Sequence, residues 1–155
     1  MGVSGSGKST IGAALARALS VPFVDADGLH PEANRLKMAG GFPLDDTDRM
    51  PWLDIVGAQL TRGPVVVACS ALKRSYRDRL RESAPGLALV YLEATPEQLA
   101  ERLAARVHEF MPVTLLASQL ATLEPPGDDE HPIRLDVARP VDELVALAVT
   151  RLEQQ

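Results

Sequence analysis

The chain opens on Gly2-Val3-Ser4-Gly5-Ser6-Gly7-Lys8-Ser9, a glycine, four residues, then Gly-Lys-Ser. Glycines at positions 2, 5 and 7 permit a tight turn whose backbone N–H groups converge, and a helix starting near Lys8 aims its positive dipole end at the same point. Such a nest takes a polyphosphate, so Gly2, Ser4, Gly5, Ser6, Gly7, Lys8, Ser9 and Thr10 are the candidate nucleotide-binding residues. Lys8 is positioned to reach the β- and γ-phosphates and is the first catalytic candidate, while the Ser9 hydroxyl is a candidate Mg²⁺ ligand. ATP and Mg²⁺ are the expected cofactors. A loop of this kind ordinarily follows a buried strand. Only Met1 precedes Gly2 here, so the first, central strand is expected to be missing from this chain; an average strand would need about five to ten apolar residues upstream.

Downstream of the loop, helical and extended patterns alternate. Ile11, Leu15 and Leu19 recur at helical spacing up to Pro22, and Phe23-Val24-Asp25 reads as a short strand. A second helix opens at His30-Pro31 and closes at Gly40-Gly41. A third, capped by Asp46 or Thr47, turns Leu53, Val56 and Leu60 inward. Val65-Val66-Val67-Ala68-Cys69 is a continuous apolar run, as in a strand covered on both faces. A charged helix from Ser70 through Arg81 leads into a strand at Leu87–Leu92. Thr95-Pro96-Glu97-Gln98 carries an N-cap, a first-turn proline and a capping-box glutamine, which predicts a helix start. Leu115 to Leu123 is a further helical run. Asp128-Asp129-Glu130 reads as a solvated acidic turn, Ile133–Val137 as a half-covered strand and Pro140 onward as a terminal helix. Strands separated by helices predict one α/β domain spanning residues 1–155, of three layers with a parallel sheet, and place ligands at the strands' carboxyl ends.

With 155 residues the chain is long enough for one core without disulfides, and its single cysteine, Cys69, has no partner with which to form one. The net charge of −5 argues against a nucleic-acid binder. No apolar run reaches membrane-spanning length, so no membrane partner is expected and the protein is read as cytoplasmic.

The strand-end rule directs attention to Asp25-Ala26-Asp27. Two carboxylates just past a strand can divide labour, one supporting Mg²⁺ and the other accepting a proton from an attacking hydroxyl; the alternative is an Asx turn that caps the next helix. His30, Asn34, Lys37, Asp45, Asp46, Asp48 and Arg49, beside Trp52, are too polar for plain core and suit a small polyhydroxylated acid. Arg49 in particular can grip a carboxylate through two parallel hydrogen bonds. Lys73 and Arg77, in the basic segment Ser70–Arg77, point to the same rim. No Asn-Lys-x-Asp base-reading motif occurs, which argues against a GTPase switch.

The run His30–Met38, then Gly41–Asp46, Asp48-Arg49, Pro51-Trp52-Leu53, Cys69–Asp78, and Ser118-Gln119 with Ala121-Thr122-Leu123-Glu124 closely resembles the small bacterial-type gluconokinases. The likeness implies a P-loop NTPase fold shared with shikimate and nucleoside monophosphate kinases, and ATP-dependent phosphorylation of D-gluconate on its 6-hydroxyl. It implies that Asp27 contacts the acceptor hydroxyl, leaving Asp25 to the metal. His30, Arg49, Lys73, Arg77 and Gln119 become acceptor-binding candidates. It further implies a homodimer and a lid over about residues 102–123, whose Arg102 and Arg106 close on ATP, Arg106 as a catalytic cation. Within that lid the family usually reads Arg-Lys-Gly-His-Phe-Met-Pro, whereas here Arg106 is followed by Val107-His108-Glu109-Phe110-Met111-Pro112. A related kinase with another acceptor and a non-catalytic ATP-binding regulator are the alternative readings.

Overall fold

The computed structural model describes residues 1–104 and 113–154. In chain order the elements are α1 (Lys8–Leu19), β1 (Phe23–Asp25), α2 (Glu32–Ala39), α3 (Asp46–Leu60), β2 (Val66–Ala68), α4 (Arg74–Ser83), β3 (Val90–Glu93), α5 (Pro96–Ala104), α6 (Val113–Thr122), β4 (Ile133–Asp136) and α7 (Val141–Leu152), with single 3-10 turns at Ala26–Leu29 and Asp128–Glu130. β1 pairs with β2 in parallel, Phe23 opposite Val66, and β3 pairs with β4 in parallel, Val90 opposite Ile133. Parallel strands need crossover connections, and the intervening helices supply them.

Helices cover both faces. On one, Ile11 and Leu15 of α1 and Leu144 and Ala148 of α7 pack with Leu92, Ile133 and Leu135. On the other, Trp52, Leu53 and Val56 of α3 meet Tyr76 and Leu80 of α4 around Cys69. A smaller cluster of Val3, Leu72, Leu99 and Leu116 joins the phosphate loop to α5 and α6. The three-layer arrangement follows from this division of apolar stripes.

Between β2 and β3 lies a slot of about 540 Å³, lined among others by Met1, Leu15, Val67, Cys69 and Val90. Among the described residues no strand fills this slot. Met1 and Gly2 close only the slot's carboxyl end: the Met1 carbonyl accepts from Leu92 N–H at 3.0 Å, and Gly2 N–H donates to the Ser70 carbonyl at 3.2 Å. Burial there, reinforced by the charge of Lys8, pushes the Met1 amino group down to about 5.

Four local expectations are corrected. The third helix is capped by Asp45, whose carboxylate accepts from Asp48 N–H at 3.0 Å, while the Asp48 carboxylate accepts from Asp45 N–H at 2.9 Å. This reciprocal box satisfies two amides at once and displaces Asp46 and Thr47 from the cap. Helix α4 starts at Arg74 rather than Ser70, because the carbonyls of Ala71 and Leu72 turn aside to accept from Arg77 Nη1, each at 3.2 Å. β3 begins at Val90 rather than Leu87, whose N–H is spent on a turn to the Ala84 carbonyl at 3.0 Å. Glu130 is buried, so the acidic turn is not simply solvated. The capping box at Thr95 forms as predicted, with Thr95 N–H donating to Gln98 Oε1 at 2.7 Å and Gln98 N–H to Thr95 Oγ1 at 3.3 Å.

Candidate active site

The phosphate loop is shaped by backbone conformations that only glycine takes without strain. Gly7, which caps α1, has φ 94°. Gly2 has φ 144°, and a Cβ there would stand 3.1 Å from the Leu92 carbonyl and 3.0 Å from Ser6 Oγ. Gly5, also at positive φ (83°), lies between them. Ser6 is fully buried, and Lys8 folds back so that Nζ donates to the Val3 carbonyl at 3.1 Å. Ser9 and Thr10 begin the first turn of α1, with the helix N-terminus aimed into the loop.

Ser9 ties this loop to the end of β1, its hydroxyl donating to Asp25 Oδ2 at 2.5 Å. The other oxygen, Oδ1, accepts from Asp27 N–H at 3.1 Å. The Asx-turn reading of the Asp-x-Asp segment is realised, since Asp25 caps the Ala26–Leu29 turn, and its other oxygen stands beside Ser9. The turn is held from behind by Trp52, whose indole N–H donates to the Ala26 carbonyl at 2.8 Å. Asp27 stands exposed on its outer side.

The polar segment between His30 and Tyr76 follows. His30 is buried and stacked on Trp52, with ring centroids 4.2 Å apart and planes 14° from parallel. Burial, then the charge of Arg49, pushes the His30 imidazole down to about 4, so at neutral pH it is uncharged and its Nδ1 accepts from Asn34 Nδ2 at 3.3 Å. Asn34 also donates to the Asp48 carbonyl at 2.9 Å, locking α2 to α3. Lys37 pairs with Asp45 and Asp48.

Arg49 lies over the Tyr76 ring, 5.6 Å from its centroid, and donates from Nη1 to the Tyr76 hydroxyl at 3.3 Å. Lys73 sits 5.5 Å from the same centroid and donates to both oxygens of Asp46, at 2.8 and 3.0 Å. The Tyr76 hydroxyl in turn donates to Asp46. Lys73 first, then Tyr76, holds the Asp46 carboxyl below the usual carboxylate range. Two cations are thus gathered on one tyrosine with a single carboxylate between them. Sequence reasoning assigned no role to Tyr76, and its place in a helical apolar stripe carried no signal of one.

Arg77, Gln119 and Arg102 each bond to groups of the protein itself. Arg77 is a correction: it is 1% exposed and donates from Nε and Nη2 to the carboxylate of Glu130, both at 2.7 Å, with Nη1 on the carbonyls of Ala71, Leu72 and Glu124. The guanidinium thus faces Glu130 and three backbone carbonyls from within the core. Gln119 lies against the phosphate loop, its amide bonded to Ser4. Arg102 donates to the Ser6 carbonyl at 3.2 Å and to the Val137 carbonyl at 2.5 Å, bracing the loop against the end of β4. Arg106 and the Val107–Met111 run lie outside the described residues. Cys69 packs in the core, and burial pushes its thiol up to about 11.

A phosphate loop opening a helix, a parallel sheet between helices and a cationic acceptor wall across the strand ends define a kinase for small acceptors, and the family model for shikimate kinase matches residues 4–121. The chain is 49% identical to the gluconokinase of Gluconobacter oxydans (87% of this chain, 79% of that one) and 41% identical to the thermoresistant gluconokinase of Escherichia coli (96% and 89%). It superposes on the crystal structure of a gluconokinase from Sinorhizobium meliloti with a TM-score of 0.92 at 53% identity, covering 99% of this chain and 89% of that one. The chain belongs to the gluconokinases, within the wider group of small-molecule kinases that the shikimate kinase model describes.

Proposed function

We propose that the protein transfers the γ-phosphoryl group of ATP to the 6-hydroxyl of D-gluconate, giving 6-phospho-D-gluconate. The observation that carries this reading is the Ser9–Asp25 hydrogen bond, which joins the nucleotide loop to the turn bearing Asp27 and so brings donor and acceptor chemistry to one point. Gluconate offers a carboxylate at one end and a primary hydroxyl at the other. Arg49 grips the carboxylate, assisted by Lys73, and neutral His30 hydrogen-bonds the hydroxyl chain. Asp27 orients the 6-hydroxyl and takes its proton as the oxygen attacks. Lys8 neutralises charge on the transferred group, so catalysis rests mainly on positioning and electrostatics. Ser9 and Asp25 present hydroxyl and carboxylate oxygens, the donor type that Mg²⁺ prefers, and would hold it; when bound it supplies charge neutralisation on the phosphates. Arg102 and Arg106 complete the nucleotide side.

We further propose a cytoplasmic homodimer, as the family resemblance implies. Among the described residues no helix is long and apolar enough to cross a membrane.

Arg49→Ala tests the acceptor assignment. The KM for gluconate is expected to rise roughly tenfold or more, the worth of a charged hydrogen bond, while the KM for ATP stays within about twofold. Steady-state kinetics with each substrate varied in turn reads the split, and equal effects on both would remove Arg49 from the acceptor site.

A further inference from the structure

Gln119 and Glu124 are left without a role by the phosphoryl-transfer chemistry, yet their side chains make specific long-range bonds. Gln119 Oε1 accepts from Ser4 N–H at 2.8 Å, and Gln119 Nε2 donates to Ser4 Oγ at 3.2 Å. The pair is reciprocal, so the amide has one orientation: flipped, it would set N–H against N–H. Glu124, just past the end of α6, grips the start of α4. Its N–H donates to the Leu72 carbonyl at 2.9 Å, its carboxylate accepts from Arg74 N–H at 2.7 Å, and its carbonyl accepts from Arg77 Nη1 at 3.0 Å. The α4 N-cap residue, Lys73, makes no side-chain cap of its own, so Glu124 serves as the cap from a distance. One turn before Gln119, Leu116 packs with Val3 and Leu72. Helix α6 is therefore fastened through its C-terminal half, by Gln119 to the phosphate loop and by Glu124 just beyond it to the N-terminus of α4, which Lys73 opens and which carries Tyr76.

We propose that the C-terminal half of α6 is a brace that holds the phosphate loop in its nucleotide-binding shape, with Gln119 as the positioning residue acting through Ser4 and Glu124 as the neighbouring anchor that ties this half of the helix to α4. Gln119 then serves the nucleotide side of the site rather than the acceptor. Both functional groups of its amide are spent on Ser4, and Ser4 lies between two of the glycines whose conformation sets the direction of the loop amides. The inference rests on the reading of that loop as a nucleotide site and is indifferent to which acceptor the enzyme takes.

Gln119→Met keeps length and packing and removes both bonds. The Kd for the Mg²⁺ complex of β,γ-imido-ATP, measured by calorimetry with no acceptor present, is expected to rise about five- to twentyfold. The Ser4 amide is expected to exchange its hydrogen faster, with Tm within about 3 °C of the parent protein. In turnover, the KM for ATP should rise while the KM for gluconate stays within about twofold. Two outcomes would overturn the proposal: an unchanged analogue Kd with a raised gluconate KM, which returns Gln119 to the acceptor, and a lowered Tm with unchanged Kd, which makes it a packing residue. Because the analogue is bound without acceptor, a wrong acceptor assignment leaves the binding result untouched.

Discussion

Asp27→Asn is expected to lower kcat by about two to four orders of magnitude, the usual worth of a general base, while leaving the KM for ATP within about threefold. The substitution keeps the side chain's size and removes its capacity to take a proton. The turn that presents it does not depend on its carboxylate: Asp25 caps the turn by accepting from the Asp27 amide, and Trp52 holds the Ala26 carbonyl. Asp27 is exposed, so the change leaves its own side chain in solvent. Loss of rate in the variant therefore reports chemistry rather than folding. Measured rates of ADP release in wild type and variant decide the matter. A decrease under about fivefold, roughly 1 kcal/mol of barrier, would reduce Asp27 to an orienting role.

Arg77→Ala is expected to cost about 3–5 kcal/mol of stability and to lower Tm by roughly 10 °C or more. The guanidinium is buried beside an equally buried Glu130 carboxylate, and removing it leaves that charge and three backbone carbonyls short of a donor. The double replacement Arg77→Met with Glu130→Leu removes both charges and is expected to recover a large part of the loss, since a buried pair often breaks even against apolar residues. Equilibrium urea unfolding of the single and double variants reads both effects. The pH dependence has a defined sign. Arg77, through its hydrogen bonds, holds the Glu130 carboxyl down to about 2 against an ordinary 4.5. A depressed carboxyl contributes stability above its unfolded pKa and loses it as pH falls, here between about 4.5 and 2, for about 3 kcal/mol in all. His30, depressed to about 4, adds a loss beginning at higher pH, as pH falls through about 6.5, because the unfolded imidazole takes up a proton that the buried one refuses. Stability flat from pH 7 to 3 would contradict both assignments.

What was legible in the sequence was local. The glycine spacing of the phosphate loop, the Thr95–Gln98 capping box and the apolar periods of α1 and α7 each depend on residues a few positions apart, and each forms as read. What was not legible depends on partners far along the chain. Glu130 reads as one more acid in a solvated turn until Arg77 is brought beside it from α4. Arg77 reads as one more cation on the acceptor rim for the same reason. Tyr76 is indistinguishable from core in a helical pattern, although its hydroxyl gathers Arg49 and Asp46 from α3. The Asp45 cap was missed by one residue because Asp45, Asp46 and Thr47 all suit that position, and only the reciprocal bond from Asp48 separates them.

The slot between β2 and β3 is flanked by two parallel strand pairs. Parallel pairing of β1 with β2 and of β3 with β4 persists on either side, and helices on both faces span the gap. The loop is nevertheless tied down at Met1 and Gly2, by Arg102 from α5 and by Gln119 from α6. These three separate attachments hold the loop in the shape of a phosphate nest.

The most direct test of the account is the rate of ADP release from Mg²⁺-ATP with D-gluconate, shikimate, glycerate and AMP supplied in turn. Release that depends on gluconate, with the other three at the acceptor-free background, is the predicted result. Turnover with a different member of the panel, or none with any of them in a protein that still binds ATP, would contradict it.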